Sequence, residues 1–235
     1  MIHRRDAPRY TVLDREYSRL YYLCMPRKSL RDDILQAGIA MIHQRGYEAS
    51  GIRDITGSAG VPQGSFTSYF VSKEAFGDEV LAAYFSNAEQ LFRATLDDAR
   101  LPPMQRLVAY VDAVIDGLRG VGWRYGCMIS NLSLETTERS EILRGRLARI
   151  FEALTERFAA VVRAGQADGT IRSDVPADDL ADVCIAAWHG AMLRMKVDRD
   201  PAPLERFKSV VLVTFCPPKD GVAQQRRGRR TKRSR

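Results

Sequence analysis

Apolar positions recur every three to four residues along most of this chain, and nowhere do they alternate with polar ones over a useful length. The pattern therefore predicts helices and no sheet. Residues 29–45 put Ile34, Ala37, Ile39, Met41 and Ile42 on one broad stripe, with Ser29 and Asp32 spaced as a capping box and Gly46 as the stop. Ser50 is expected to cap a short helix over 52–58 that turns Ile52, Ile55 and Ala59 inward. Gly60 breaks it, and Pro62 sets up a further helix over 63–69. Ser72 then caps a long helix over 73–98, lined by Phe76, Val80, Tyr84, Ala88, Leu91 and Thr95. "LPPM" at 101–104 ends that helix and opens the next, over 103–119.

Gly117, Gly120 and Gly122 loosen the chain ahead of "WRYGCMISNLSLE". A long helix is expected over 138–165, with Leu143, Leu147, Ile150, Leu154, Phe158 and Val161 in line. Another, over 177–196, carries Leu180, Val183, Cys184, Ala187, Trp188, Ala191 and Met195 on one side, and a last one runs over 204–215 up to Cys216-Pro217-Pro218. The expected fold class is all-α with about nine helices. The expected organisation is an N-terminal basic arm at 1–28, a three-helix module at 29–75, a larger helical body at 76–216 and a basic tail at 217–235. A module that small has little core of its own, so the helix starting at 73 is expected to continue its packing. Within the arm, Met25 is a second natural-looking start.

An apolar content of 45% separates this chain from disordered ones. Charge adds more. Net charge is +4 over 1–28, −4 over 29–220 and +7 over 221–235, so a mildly acidic body lies between two basic arms. Such arms attract polyanions, nucleic acid first. The four cysteines are scattered, with no CxxC and no Cys/His cluster, which fits a reducing, cytoplasmic setting without structural zinc or any metal site. "VVLVTFC" and "LYYLCM" are too short to span a membrane. No nucleotide loop, nucleophile elbow, HExxH or acidic metal box appears, so no catalytic residue, enzyme activity or cofactor is expected.

The stretch "GVPQGSFTSYF" at 60–70 carries the sharpest chemistry. Helix 52–58, turn and helix 63–69 form a helix-turn-helix, whose second helix lies in the major groove of DNA. Close approach to the duplex favours a small residue, supplied by Gly64 at a cost in helix propensity. Gln63, Ser65, Thr67 and Ser68 offer short hydrogen-bonding groups and Tyr69 a polar-tipped ring, while Phe66 and Phe70 are assigned to the core.

With Gly46-Tyr47, Ile55, Ala59-Gly60-Val61, Gly64-Ser65-Phe66, Tyr69-Phe70 and Lys73-Glu74, residues 34–76 resemble the DNA-binding segment of the tetracycline-repressor family of bacterial regulators. The resemblance implies an N-terminal DNA-binding head, a helical ligand-binding body and a homodimer paired through its last two long helices. The partners it implies are a double-stranded DNA operator, a second copy of the chain and a small-molecule inducer. Thr67, Ser68 and Gly51 stand where the family usually has Tyr, often His, and Thr. Gln63 is the first base-reading candidate, since an amide pairs with adenine in the major groove, and Thr67 the second. Ser50, Arg53, Tyr69 and Lys73 are assigned to phosphates, and Arg27 and Lys28 to the backbone or minor groove.

Gly126, Cys127, Met128, Asn131, Leu132 and Glu135, with Trp188, Gly190, Ala191, Leu193 and Lys196 further on, resemble a subgroup of that family, some of whose members respond to small electrophilic or unsaturated compounds. Cys127 is accordingly a candidate sensor thiol, with Lys196 or Arg124 as a cation raising its thiolate fraction; its alternative is an inert core thiol. Trp123, Tyr125, Met128, Trp188, His189 and Met192 are candidate pocket walls, and Asn131 joins them through the motif. The expected function is a repressor released by a ligand, the rival readings being an activator or a repressor with a non-covalent inducer, and a non-specific architectural DNA-binding protein.

Overall fold

The computed structural model describes residues 29–217. Arg27, Lys28 and Cys24 and residues 218–235 of the basic tail lie outside the described residues. Every regular element among the described residues is helical. These are α1 (Leu30–Arg45), α2 (Ile52–Ser58), α3 (Gly64–Tyr69), α4 (Lys73–Asn87), α5 (Glu89–Ala94), α6 (Pro103–Gly120), α7 (Met128–Thr136), α8 (Glu141–Ala167), α9 (Ala177–Asp198) and α10 (Ala202–Arg206). A π-helical turn (Phe207–Val211) and a 3-10 turn (Leu212–Phe215) follow. No helix among them is long and apolar enough to cross a membrane.

The chain divides into two compact units. The first comprises 29–87 with 114–146, the second 88–113 with 147–217. This division differs from the contiguous cut expected at 75/76, because α4, α7 and the start of α8 pack with the first three helices.

In the first unit, α1 starts on the expected capping box: the Asp32 N–H donates to Ser29 Oγ at 3.2 Å and the Ser29 N–H to Asp32 Oδ2 at 3.2 Å. Ile34, Ile39, Met41 and Ile42 are buried. The helix stops at Gly46, whose φ of +89° is strained for any side chain. α1 and α4 meet closely at Gly38, where a Cβ would lie 2.2 Å from the Phe76 ring. The Arg146 guanidinium forks onto Asp78 at 2.7 and 2.6 Å, tying the start of α8 to α4.

In the second unit, Leu147, Ile150, Leu154, Phe158 and Val161 of α8 are buried as their spacing predicts. Arg157 holds Glu89 at 2.7 Å and Asp97 at 2.6 Å while covering the Phe92 ring at 4.7 Å. Tyr110 meets Phe158 edge-on at 5.3 Å, and Trp188 lies 5.0 Å from Phe207.

The structure departs from the sequence expectations in five places. Ser50 does not cap α2; its hydroxyl donates to the Gly46 carbonyl at 2.6 Å, and Gly51 takes the cap position without a side-chain bond. The helix expected over 73–98 is interrupted at Ala88 and ends at Ala94, where Thr95 turns its hydroxyl back to the Leu91 carbonyl at 2.7 Å. The stretch after Gly122 forms α7, because Met128, Ile129, Leu132 and Thr136 share a buried side. The last helix tightens and loosens by turns instead of running regularly. On α9, Leu180, Cys184, Trp188 and Met195 are buried, but Val183 is 64% exposed.

Candidate nucleic-acid interface and thiol corner

A helix of six residues has no stability of its own. α3 is held by its two aromatic residues instead. Phe66 and Phe70 lie 5.2 Å apart and reach Phe76 of α4 at 5.1 and 4.8 Å, all three nearly or wholly buried. Arg31 covers the outer side of Phe70 at 5.2 Å. The turn before α3 uses Gly60 at φ +71°, which sets the angle between α2 and α3.

With Phe66 and Phe70 facing in, the other side of α3 faces out. Gln63, Gly64, Thr67, Ser68 and Tyr69 are exposed and Ser65 is half-buried. The Thr67 hydroxyl donates to the Gly64 carbonyl at 3.0 Å, and that of Ser68 to the same carbonyl at 3.4 Å. Both oxygens keep their lone pairs for an outside donor. A Cβ at Gly64 would meet nothing within 4 Å. No packing inside the chain explains this glycine.

Arg53 is exposed on α2. Lys73 is half-buried, its Nζ 4.5 Å above the Tyr47 ring, so its charge is oriented by that ring. Burial, with Glu74 and Glu48 nearby, pushes the Tyr47 hydroxyl up to about 12. Ser50 is fully buried and cannot be one of the phosphate contacts expected of it.

The candidate ligand residues fall in both units. Trp123, Tyr125, Cys127, Met128 and Asn131 belong to the first; Trp188, His189, Met192 and Lys196 belong to the second. In the first, the chain reaches α7 through three left-handed residues, Gly122, Trp123 and Gly126, with φ of +63°, +62° and +68°. Asn131 ties this approach down, its amide donating to the Tyr125 carbonyl at 3.0 Å. His43 of α1 donates from Nε2 to the Gly126 carbonyl at 2.9 Å, with its ring 5.5 Å from Tyr84 and 5.6 Å from Tyr125.

Cys127 sits at the cap position of α7, inside this corner. Burial pushes its thiol above the ordinary value. The N–H groups of Ser130 and Ile129 and the hydroxyls of Ser130 and Tyr84 act the other way and do not overcome it. The neutral thiol is therefore the form present at neutral pH. Cys184 is fully buried and pushed up to about 12.

In the second unit, Trp188 and Met192 are core residues. His189 lies 5.2 Å from Phe151, and burial holds its imidazole down at about 4, which keeps it neutral. Among the described residues no group of His, Cys, Asp and Glu has the arrangement of a metal site.

His43 and Tyr84 are the residues that sequence reasoning missed. They reach the corner from α1 and α4, and no local pattern encodes that meeting. Glu135 carries a signal in its spacing from Gly126, Cys127 and Asn131, and its carboxylate reaches the loop after α1.

Residues 34–80 match the family model described as bacterial regulatory proteins, tetR family, and residues 103–211 match the tetracyclin repressor-like C-terminal domain. The HTH-type transcriptional repressor DhaR of Mycobacterium sp. (strain GP1) is 40% identical over 201 residues, which cover 86% of this chain and 100% of DhaR. The crystal structure of regulatory protein TetR from Rhodobacter sphaeroides superposes with a TM-score of 0.76 at 31% identity, covering 80% of this chain and 100% of that one. The reduced form of Escherichia coli NemR superposes with a TM-score of 0.74 at 27% identity, covering 80% and 98%.

Proposed function

Because this chain belongs to the tetracycline-repressor family of bacterial transcriptional regulators, we propose that it is a repressor that binds a palindromic operator as a homodimer and is released by a small molecule. The observation that carries this reading is the outer side of α3: polar groups around a glycine that no internal packing requires, on a helix fixed by aromatic anchors. DhaR and NemR are named as repressors, which favours repression over activation. A regular groove-reading helix favours an operator over unselective packaging of DNA.

In this reading the DNA-binding head is 29–75 and the ligand-binding and dimerisation body is 76–216. Gln63 reads a base edge, with Thr67 beside it. Ser65, Ser68, Tyr69, Arg53 and Lys73 hold phosphates, joined by Arg27 and Lys28 from the arm. Gly64 lets the backbone come close. Dimerisation is supported by α9, whose exposed Val183, Ala186, Gly190, Leu193 and Val197 repeat every three to four residues as a coiled-coil seam does. Val210 and Val213, 59% and 60% exposed, add apolar surface further along the same unit. A two-fold mate would space two copies of α3 for successive grooves.

The release site is the corner around Cys127, within the same compact unit as the head. A small electrophile captured by the thiol is one form of release, and the solved NemR structure, named as a reduced form, suits a thiol that changes state. The raised thiol weighs against covalent capture, since a neutral thiol is a poor nucleophile, and leaves a non-covalent ligand as the other form.

A gel shift on the DNA upstream of the protein's own gene tests all of this. A discrete retarded band that survives competitor DNA is expected from the wild type. Release by N-ethylmaleimide from wild type but not from Cys127→Ser would establish covalent capture. Resistance of both proteins would leave occupation, and no discrete band would sink the regulator reading.

A further inference from the structure

One acidic side chain links the thiol corner to the head. The Glu135 carboxylate, on the last turns of α7, accepts the Tyr47 N–H at 2.8 Å and the Glu48 N–H at 3.2 Å. These two N–H groups belong to the loop that leads from α1 into the helix-turn-helix. The loop is shaped around the carboxylate: a Cβ at Gly46 would lie 2.4 Å from Glu135 Oε1. Ser50 closes the loop with its bond to the Gly46 carbonyl. A second tie joins the other end of α7 to α1, where His43 holds the Gly126 carbonyl. α7 thus carries Cys127 at its first turn and the clamp on the loop near its last, roughly 12 Å apart on one short helix.

We infer that Glu135 is a positioning residue for operator binding, and that α7 acts as a relay between the Cys127 corner and the helix-turn-helix. This rests on the regulator reading above. A charged acceptor holding two backbone donors fixes the loop more firmly than neutral groups do. Whatever shifts α7 at its Cys127 end must stretch or turn those bonds at its Glu135 end. The loop then loosens, and α2 and α3 lose their fixed footing. Coupling of this kind is reciprocal. Operator DNA, by fixing the loop, must in turn hold α7 in place and slow opening around Cys127.

The test uses the full chain as wild type, Glu135→Ala and Glu135→Gln, with an operator selected by the wild type from random DNA and an unrelated duplex of the same length. Hydrogen exchange of the 46–50 amides, operator affinity and the rate of Cys127 labelling by N-ethylmaleimide, followed by peptide mass, are the readouts. Labelling of a half-buried thiol reports how freely its surroundings move. In the wild type, operator is expected to slow labelling about fivefold or more relative to the unrelated duplex. Glu135→Ala is expected to lose that difference, to exchange faster at 46–50 and to bind operator at least about tenfold more weakly, with affinity for the unrelated duplex unchanged. Glu135→Gln, which keeps the shape and one acceptor, should fall between. A wild type whose labelling ignores operator would overturn the relay. So would Glu135→Ala with unchanged exchange and affinity. Should that variant fail to fold, unchanged behaviour of Glu135→Gln overturns the inference in its place. Failure of the wild type to select any sequence is a separate outcome, and it strikes the regulator reading itself.

Discussion

Glycine at 64 makes two quantities move in opposite directions. Its Cβ position is open and its backbone is helical, so alanine fits and should stabilise the head by roughly 0.5 kcal/mol. In the proposed reading the same methyl group stands where the duplex approaches, so operator affinity should fall. Thermal melting and anisotropy titration of Gly64→Ala check both, and a variant that gains stability with undiminished affinity would place the duplex elsewhere. At His189 the prediction concerns pH. Its imidazole is held at about 4 when folded, below its ordinary 6.5. Between those values the unfolded chain binds the extra proton, so stability is full above about pH 6.5 and falls as pH drops towards 4, by up to about 3 kcal/mol. Urea denaturation at pH 7 and pH 4.5 should show this loss in the wild type and a smaller one in His189→Gln. For Cys127 the raised thiol means that labelling keeps accelerating with pH past 9, where an ordinary cysteine levels off.

Among the elements, α3 depends on its anchors. Phe66 is 1% exposed and bridges Phe70 and Phe76, so Phe66→Ala should cost about 3–5 kcal/mol and abolish operator binding. Denaturation and anisotropy measure it, and retention of both properties would mean that α3 is held by something other than its rings. This element was legible because its marks are local: Gly60 for the turn, Phe66 and Phe70 four residues apart, polar residues between. α8 was legible for the same reason, through an unbroken apolar line. α7 was not, since Gly122 at its approach reads as loosening, whereas its positive φ, with those of Trp123 and Gly126, sets up the turn that starts the helix. The buried Ser50 shows the same limit. A serine before a helix is ordinarily a cap, and only the return of the chain at Gly46 gives its hydroxyl a better acceptor. The candidate ligand residues were least legible, because a site gathers side chains from distant helices. His43 and Tyr84 reach the Cys127 corner with no signal in the sequence, and Trp188 and Met192 are buried in the other unit.

Across the whole molecule two surfaces remain, the seam on α9 and the charge at the chain ends. A carboxylate at Val197, 70% exposed at the end of the proposed seam, is solvated in the monomer and puts a charge against apolar surface in a pair. Val197→Glu should therefore shift the protein towards monomer in light scattering and weaken operator binding without lowering helicity; an unchanged dimer would move the interface off α9. The tail at 221–235 adds seven positive charges and no negative ones to a mildly acidic body. In the proposed reading α3 reads the sequence while the charge is spread along the tail, so the two contributions should separate. Each phosphate the tail neutralises steepens the fall of log affinity with log salt by about 0.9. Deleting 221–235 should flatten that slope for operator and unrelated DNA alike, while their affinity ratio at a given salt stays the same. A slope unchanged by the deletion would show that the tail leaves the phosphates alone. A changed ratio would show that it takes part in reading the sequence.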